Sequence, residues 1–143
     1  MVAGIIERIR VLFEGDPAVR RVADDPVLTA ELMLLFRMVL ADGEASAPEM
    51  EAFRRICRDA FGIGEESLKE VVAYLNDFSY ETTEPRALGA FGQMPLHRRV
   101  ALARHMAEIA KADKKLSTQE VALLKRTISI LHVDPMDVIG PER

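Results

Sequence analysis

Apolar side chains recur along the chain at every third or fourth position, which places them on one face of an α-helix. The strict alternation of apolar and polar residues that is typical of a half-buried strand is rare. Leu, Ala, Met, Glu, Lys and Arg dominate the composition, and these residues favour helix. The pattern predicts an all-α fold, a compact single-domain bundle of about seven helices over residues 1–143.

Capping residues, prolines and glycines mark the predicted helix ends. Asp16 and Asp25 each precede a proline, an arrangement in which the aspartate caps a helix and the proline takes its first position. The glycines in the segment 61–64 should end another helix. The predicted helices cover or begin at about positions 3–13, 17, 26–41, 46, 66–78, 95–112 and 117, with shorter helical segments at 83 and 135.

Two of these helices, those that end at Ala41 and Ala112, are predicted to pack against each other at the centre. The helix at 26–41 is apolar on nearly all sides, which only a surrounded helix tolerates. The helix at 95–112 carries two apolar stripes, composed of Leu96, Val100, Ala103, Ala107 and Ala110 and of Leu102, Met106 and Ile109. The helix from 117 carries one predicted buried stripe, composed of Val121, Leu124, Ile128 and Leu131.

The turn after the first central helix recurs 71 positions later. The matching residues of the two copies are, in order, Ala41, Asp42, Ser46 and Glu49 and then Ala112, Asp113, Ser117 and Glu120. In each copy the serine and the glutamate predict a capping box, in which the serine caps the helix and the glutamate returns a hydrogen bond to the serine backbone N–H. Because both copies join an apolar helix to a capped helix, the sequence predicts two halves with pseudo-two-fold similarity.

These features resemble the TerB-like family, the small all-helical proteins of bacterial tellurite-resistance clusters. The resemblance is strongest over residues 28–133 and rests on the leucine-rich helix, Ala41-Asp42-Gly43, the glutamate seven positions after Asp42, the Phe61-Gly62-Ile63 stop and the second copy. The chain is also similar to the N-terminal TerB-like region of DnaJ-like membrane-anchored co-chaperones. It has no His-Pro-Asp triplet, so no J-domain activity is implied.

The family resemblance implies a stress-response protein related to tellurite or toxic-oxyanion resistance, with acidic turns that bind a divalent cation. Carboxylates from neighbouring turns would supply the hard oxygen donors that Ca²⁺ or Mg²⁺ prefers. The spacing is not that of an EF-hand, whose ligands alternate through a single ~12-residue loop. The candidate ligands are Asp42, Glu44, Glu49, Asp113 and Glu120.

The same acidic residues also have a purely structural interpretation. Glu49 and Glu120 are accounted for as capping-box residues, and an aspartate after a buried helix often caps the turn. In the second copy Lys114 and Lys115 make the turn less acidic than the first. Capping alone, and capping combined with a weak cation site, therefore both stay open.

A cluster of positive charge, His97 to Arg99, begins the helix at 95–112, where it opposes the helix dipole. Ion pairs with nearby carboxylates such as Glu81 or Glu84 would compensate this charge. The alternative is a patch that binds an anion or an acidic partner.

Catalytic and zinc-binding constellations are not evident in the sequence. The single cysteine, Cys57, lies between basic residues in a position that suits a helix wall better than the pocket of a nucleophile. His97, His105 and His132 have no ligand spacing to one another or to Cys57. The protein is therefore predicted not to be an enzyme and to need no cofactor beyond the divalent cation.

Charge and hydropathy bound the choice of partners. The net charge of −4, with both signs spread along the chain, implies no affinity for nucleic acid. The apolar run 32–41 contains Arg37 and is shorter than the ~18 residues of a membrane span, and no signal peptide is evident, so a cytoplasmic protein without membrane insertion is expected. The alternative to a cation-binding stress protein is an interaction module that docks a partner helix between the halves. A protein partner is expected in either case, and the oligomeric state stays open.

Overall fold

The computed structural model describes residues 17–41, 43, 46–79, 90–113 and 116–139. These residues contain no strand, which confirms the all-α class. A short 3-10 turn, Ala90–Gln93, precedes the fifth helix. The predicted helices at 3–13 and directly after Thr83 lie outside the described residues. The helices in the described part of the chain are α1 Pro17–Asp24, α2 Pro26–Val39, α3 Ala47–Phe61, α4 Glu65–Ser79, α5 Leu96–Lys111, α6 Thr118–Leu131 and α7 Pro135–Ile139.

Local capping explains where α2 begins and ends. The Asp25 carboxylate accepts hydrogen bonds from the backbone N–H groups of Val27 and Leu28, both at 3.1 Å, as predicted. The helix ends at Val39, two residues before the predicted end, and a turn continues through Ala41. The repeated turn is thus slightly longer than the sequence pattern indicates.

The centre of the core is the contact between α2 and α5, as predicted. The helices that follow the two repeated turns, α3 and α6, each contact both of these central helices. Helices α1 and α4 contact each other and α2, while α7 contacts α5. The fully buried side chains of the central pair include Leu32, Leu35, Met38, Leu102, Met106 and Ile109. This arrangement brings the C-terminal ends of α2 and α5 and the N-terminal ends of α3 and α6 to the two turns; the pseudo-two-fold relation itself stays a prediction.

The predicted stripes of α5 and α6 are wrong in part. Leu96, at the first position of α5, is 55% exposed, and Val100 is half-buried. In α6 Leu131 is buried as predicted, Leu124 and Ile128 are half-buried and pack against the core, and Val121 is only half-buried. The buried face of α6 is rotated toward a set that includes two polar residues, Glu120, Leu123, Thr127 and Leu131. Hydropathy alone does not identify this face, because half of its members are polar.

Both arginines of the basic cluster have partners, and one of them pairs with a carboxylate, as predicted for the cluster. Arg98 forms a two-pronged ion pair with Glu31 of α2, with nitrogen–oxygen distances of 2.6 and 3.2 Å. Arg99 donates to the backbone carbonyls of Met94 at 3.0 Å and Leu131 at 2.6 Å. The predicted partners Glu81 and Glu84 lie outside the described residues. Arg98 and Arg99 therefore form contacts that join α2, α5 and the end of α6.

Among the helices of the described residues, none has the length and apolar character needed to cross a bilayer.

Candidate cation site

The N-terminus of α6 carries a complete capping box. The Ser117 hydroxyl accepts a hydrogen bond from the Glu120 backbone N–H at 3.0 Å. The Glu120 carboxylate oxygen Oε1 accepts one from the Ser117 backbone N–H at 3.1 Å. Both bonds satisfy N–H groups that a helix leaves without a partner in its first turn, so the predicted box is present.

The N-terminus of α3 is capped differently, which corrects the prediction of a second complete box. The Ser46 hydroxyl accepts from the Glu49 backbone N–H at 3.2 Å, as a cap should. Glu49 Oε1, however, accepts from the Ser46 hydroxyl at 3.0 Å, and not from the Ser46 backbone N–H. One hydroxyl thus serves as acceptor and donor to the same glutamate.

The two capping glutamates meet in the interior. Glu49 and Glu120 are both fully buried, and their carboxyl groups lie within hydrogen-bonding distance of each other. In each residue the oxygen Oε1 is engaged by the cap. The other oxygen, Oε2, is buried and receives no hydrogen bond in the described part of the chain. Capping therefore accounts for only half of each carboxyl group.

The electrostatics of Glu49 reflect this environment. Burial disfavours the charged carboxylate and, together with the neighbouring Glu120 carboxyl and the negative charge of Asp113, raises the pKa of Glu49 to about 8. The Ser46 hydroxyl acts in the opposite direction, because its hydrogen bond favours the carboxylate. At neutral pH the buried pair accordingly holds a proton in the absence of any other positive charge.

The remaining predicted ligands have different outcomes. Asp113 is half-buried in the turn after α5 and contributes its field to Glu49. Asp42 and Glu44 lie outside the described residues. Within the described residues alone, no group of three or more His, Cys, Asp or Glu side chains has an arrangement that could hold a metal ion. The structure thus brings Glu49 and Glu120 together, with Asp113 nearby.

The donor set suits a hard cation. Two buried carboxylate oxygens without a hydrogen-bond donor are costly, because a polar group removed from water loses its partners. A divalent cation would replace the missing donors and cancel the repulsion between the carboxylates. Oxygen-only donors favour Ca²⁺ or Mg²⁺ over zinc or copper. The helix N-termini of α3 and α6 add partial positive charge, which favours the ionised carboxylates.

Residues outside this pair show ordinary structural roles. Burial raises the pKa of the Cys57 thiol to about 12, so the thiolate nucleophile is strongly disfavoured. Burial also lowers the pKa of His105, whose ring lies 6.1 Å from that of Phe61. His132 is exposed and caps the end of α6 in a left-handed conformation with φ of 54°.

Two features of polar residues were not predicted from the sequence: the burial of Glu31 and the donor role of the Ser46 hydroxyl. Glu31 is only 2% exposed and lies in a helix that is apolar on nearly all sides. A charged residue in such a helix is the feature that could have indicated a buried ion pair. The donor role of the Ser46 hydroxyl was hidden because a serine followed by a glutamate three positions later predicts the ordinary capping box.

The fold and the site together define a class: an all-helical protein in which the capping carboxylates of two helices, α3 and α6, come into contact. The family model described as "Tellurite resistance protein TerB" matches residues 28–141 of the chain. The chain therefore belongs to the TerB family, and the family resemblance found in the sequence is confirmed. Comparison with curated proteins and with solved structures finds no match.

Proposed function

We propose that the protein is a non-enzymatic stress-response protein of the TerB family that acts in resistance to tellurite or related toxic oxyanions and binds a divalent cation at its two repeated turns. In this proposal Glu49 and Glu120 supply the two inner carboxylates. Asp113 and, from the turn after α2, Asp42 and Glu44 complete the oxygen donors together with water.

The observation that carries the proposal is the pair of unpartnered oxygens. Glu49 Oε2 and Glu120 Oε2 are buried, lack a donor within the described residues, and belong to carboxyl groups that approach each other. If the two glutamates served only as caps, the folded state would be more stable with the second oxygen of each carboxylate in water. In the ion-free protein the proton held by the pair supplies part of the missing interaction; a cation bound between the two carboxylates would displace that proton and interact with both oxygens.

Thermal melting with and without divalent ions tests the proposal. Millimolar Ca²⁺ or Mg²⁺ should raise Tm relative to NaCl of matched ionic strength, because an ion that binds only the folded state stabilises it by mass action. An ion at about 100 times its Kd contributes about 2.7 kcal/mol. For a chain of this size that corresponds to a rise of roughly 5–10 °C.

Variants of equal charge distinguish a cation bound at the inner glutamates from a general effect of charge. Glu49→Gln combined with Glu120→Gln removes the repulsion, so the ion-free protein should become more stable while its response to Ca²⁺ and Mg²⁺ disappears. The combination Glu51→Gln with Asp77→Asn removes the same charge from exposed positions and should leave the ion response intact. Asp42→Asn with Asp113→Asn should weaken the response. Equal ion responses of the wild type and the inner pair variant would refute the cation site.

A second candidate function is an interaction module, and a groove favours it. The groove lies between α3 of the first half and α5 and α7 of the second and has a volume of about 560 Å³. Its floor is apolar, with Ala52, Ala107 and Val138, and the Arg55–Glu108 ion pair spans its side at 3.3 Å. If the carboxylates serve only as caps, Tm should show no ion-specific change, and the groove would then be the functional surface.

A further inference from the structure

We propose that Ser46 is a positioning residue of the cation site, whose hydroxyl holds one oxygen of the Glu49 carboxylate and leaves the other oxygen available to the ion. This inference rests on the proposed function, since it concerns how one ligand of that site is held. The two serines that cap α3 and α6 then have different roles, although they occupy equivalent positions in the sequence repeat. Ser46 orients a ligand, whereas the side chain of Ser117 is only a cap.

The difference lies in the group that donates to each carboxylate. Glu120 Oε1 is held by the backbone N–H of Ser117 at 3.1 Å, a donor that every residue type except proline would provide. Glu49 Oε1 is held by the side-chain hydroxyl of Ser46 at 3.0 Å. In the described structure, therefore, the orientation of Glu49 depends on the identity of residue 46, whereas that of Glu120 does not depend on the identity of residue 117.

The hydroxyl of Ser46 also connects the carboxylate to the helix. It accepts from the Glu49 backbone N–H at 3.2 Å while it donates to Oε1, so side chain and backbone of the same residue are tied through one oxygen. With Oε1 occupied in this way, Oε2 is the buried oxygen that has no donor among the described residues and is available to an ion. Such hydrogen bonds to ligating carboxylates fix their orientation, and their loss typically lowers metal affinity about 10- to 100-fold.

The test compares glycine variants of the two serines. Glycine is accepted at an N-cap with little loss of stability, so Ser117→Gly should unfold close to the wild type. Ser46→Gly also removes a donor from the buried Glu49 carboxylate and should unfold at a lower denaturant concentration, so affinities are compared in buffer where both variants are folded. Calorimetric titration with Ca²⁺, and separately with Mg²⁺, should show affinity about 10- to 100-fold weaker for Ser46→Gly. Ser117→Gly retains the backbone N–H and should stay within about threefold of the wild type. Ser46→Thr restores a hydroxyl and should restore the affinity.

Three outcomes separate this inference from the proposed function. If the wild type binds neither ion, the cation site itself is refuted and the positioning role with it. If the wild type binds and Ser46→Gly retains its affinity, or loses no more of it than Ser117→Gly does, Ser46 is only a cap and the positioning role is overturned while the cation site stands. Selective loss in Ser46→Gly with recovery in Ser46→Thr supports both, because a merely structural cap would affect stability and not affinity.

Discussion

The Glu49 carboxyl stands at the start of a helix, where negative charge is favoured, and in a place without solvent, where it is not. A helix N-terminus stabilises a negative charge by up to about 2 kcal/mol in partly buried positions. Burial beside a second carboxyl opposes this and prevails, since the pKa of Glu49 rises to about 8. The folded state therefore favours the neutral, protonated form of the Glu49 carboxyl group at neutral pH.

This has a consequence for stability that a pH series can measure. Between the ordinary pKa of 4.5 and about 8 the folded state retains a proton that the unfolded state releases. The free energy of unfolding of the ion-free protein should therefore fall as pH rises through this range, with a slope of at most about 1.4 kcal/mol per pH unit for one proton. Urea unfolding in chelator at about pH 5, 6.5 and 8 measures this slope.

The slope should be smaller in Glu49→Gln, which retains the shape of the side chain but does not titrate. Glu51→Gln, at an exposed position of the same helix, serves as the control and should keep the wild-type slope. A wild type whose stability increases over this pH range would contradict the raised pKa.

At the scale of the element, α3 and α6 end in the same way. Each is followed by a residue in the left-handed conformation, Gly62 with φ of 68° and His132 with φ of 54°. Glycine adopts this conformation without steric cost, whereas other residues resist it. The two positions should therefore respond to substitution in opposite directions.

Gly62→Ala is expected to lower the free energy of unfolding by about 1 kcal/mol. A Cβ at this position would find its nearest neighbour, Arg21 Nη1, at 3.7 Å, so the loss comes from the backbone and not from a clash. His132→Gly should raise stability by up to about 1 kcal/mol. Gly92→Ala, where a Cβ meets open space, should be near neutral, and denaturant melts of the three variants decide the matter. A cost at Gly92 equal to that at Gly62 would count against the left-handed cap.

At the scale of the whole molecule, the ion pair of Glu31 and Arg98 joins the two central helices. The Glu31 side chain is 3% exposed and that of Arg98 is 39% exposed, so the pair reaches from the core to the surface. Burial raises the pKa of Glu31, and Arg98 counteracts this by its hydrogen bonds and its charge. The carboxylate thus depends on a partner 67 residues away in the chain.

Arg98→Ala should lower the free energy of unfolding by about 1–3 kcal/mol, because a buried acceptor loses its donors. Water that reaches the exposed part of Arg98 keeps the loss below that of a fully buried pair. The double variant Arg98→Met with Glu31→Leu should recover much of the loss. Arg54→Ala breaks an exposed pair with Glu51 and should cost less than about 0.5 kcal/mol in the same urea titration. Failure of the double variant to recover would show that packing, and not the unpaired charge, dominates.

Sequence patterns alone predict the all-α class, the central helix pair, the caps at Asp25, Ser46 and Ser117 and the glycine stop at Gly62. These features are local, because a cap or a left-handed residue acts on backbone groups within one turn of the helix. The sequence also named Glu49 and Glu120 as members of one site, since the repeat made their turns equivalent.

The contacts between distant groups, and the burial of polar groups by neighbouring helices, follow from the tertiary packing and are not visible in the sequence. Glu49 lies against Glu120 because α3 and α6 both pack on the central helix pair. No local sequence pattern predicts that these two helices bring their first turns together. Glu31 and the polar members of the buried face of α6 are hidden by neighbouring helices, whereas residue type alone predicts exposure for them. The exchange of a backbone N–H for the Ser46 hydroxyl at Glu49 also appears only in three dimensions, because the orientation of a buried carboxylate is set by everything that surrounds it.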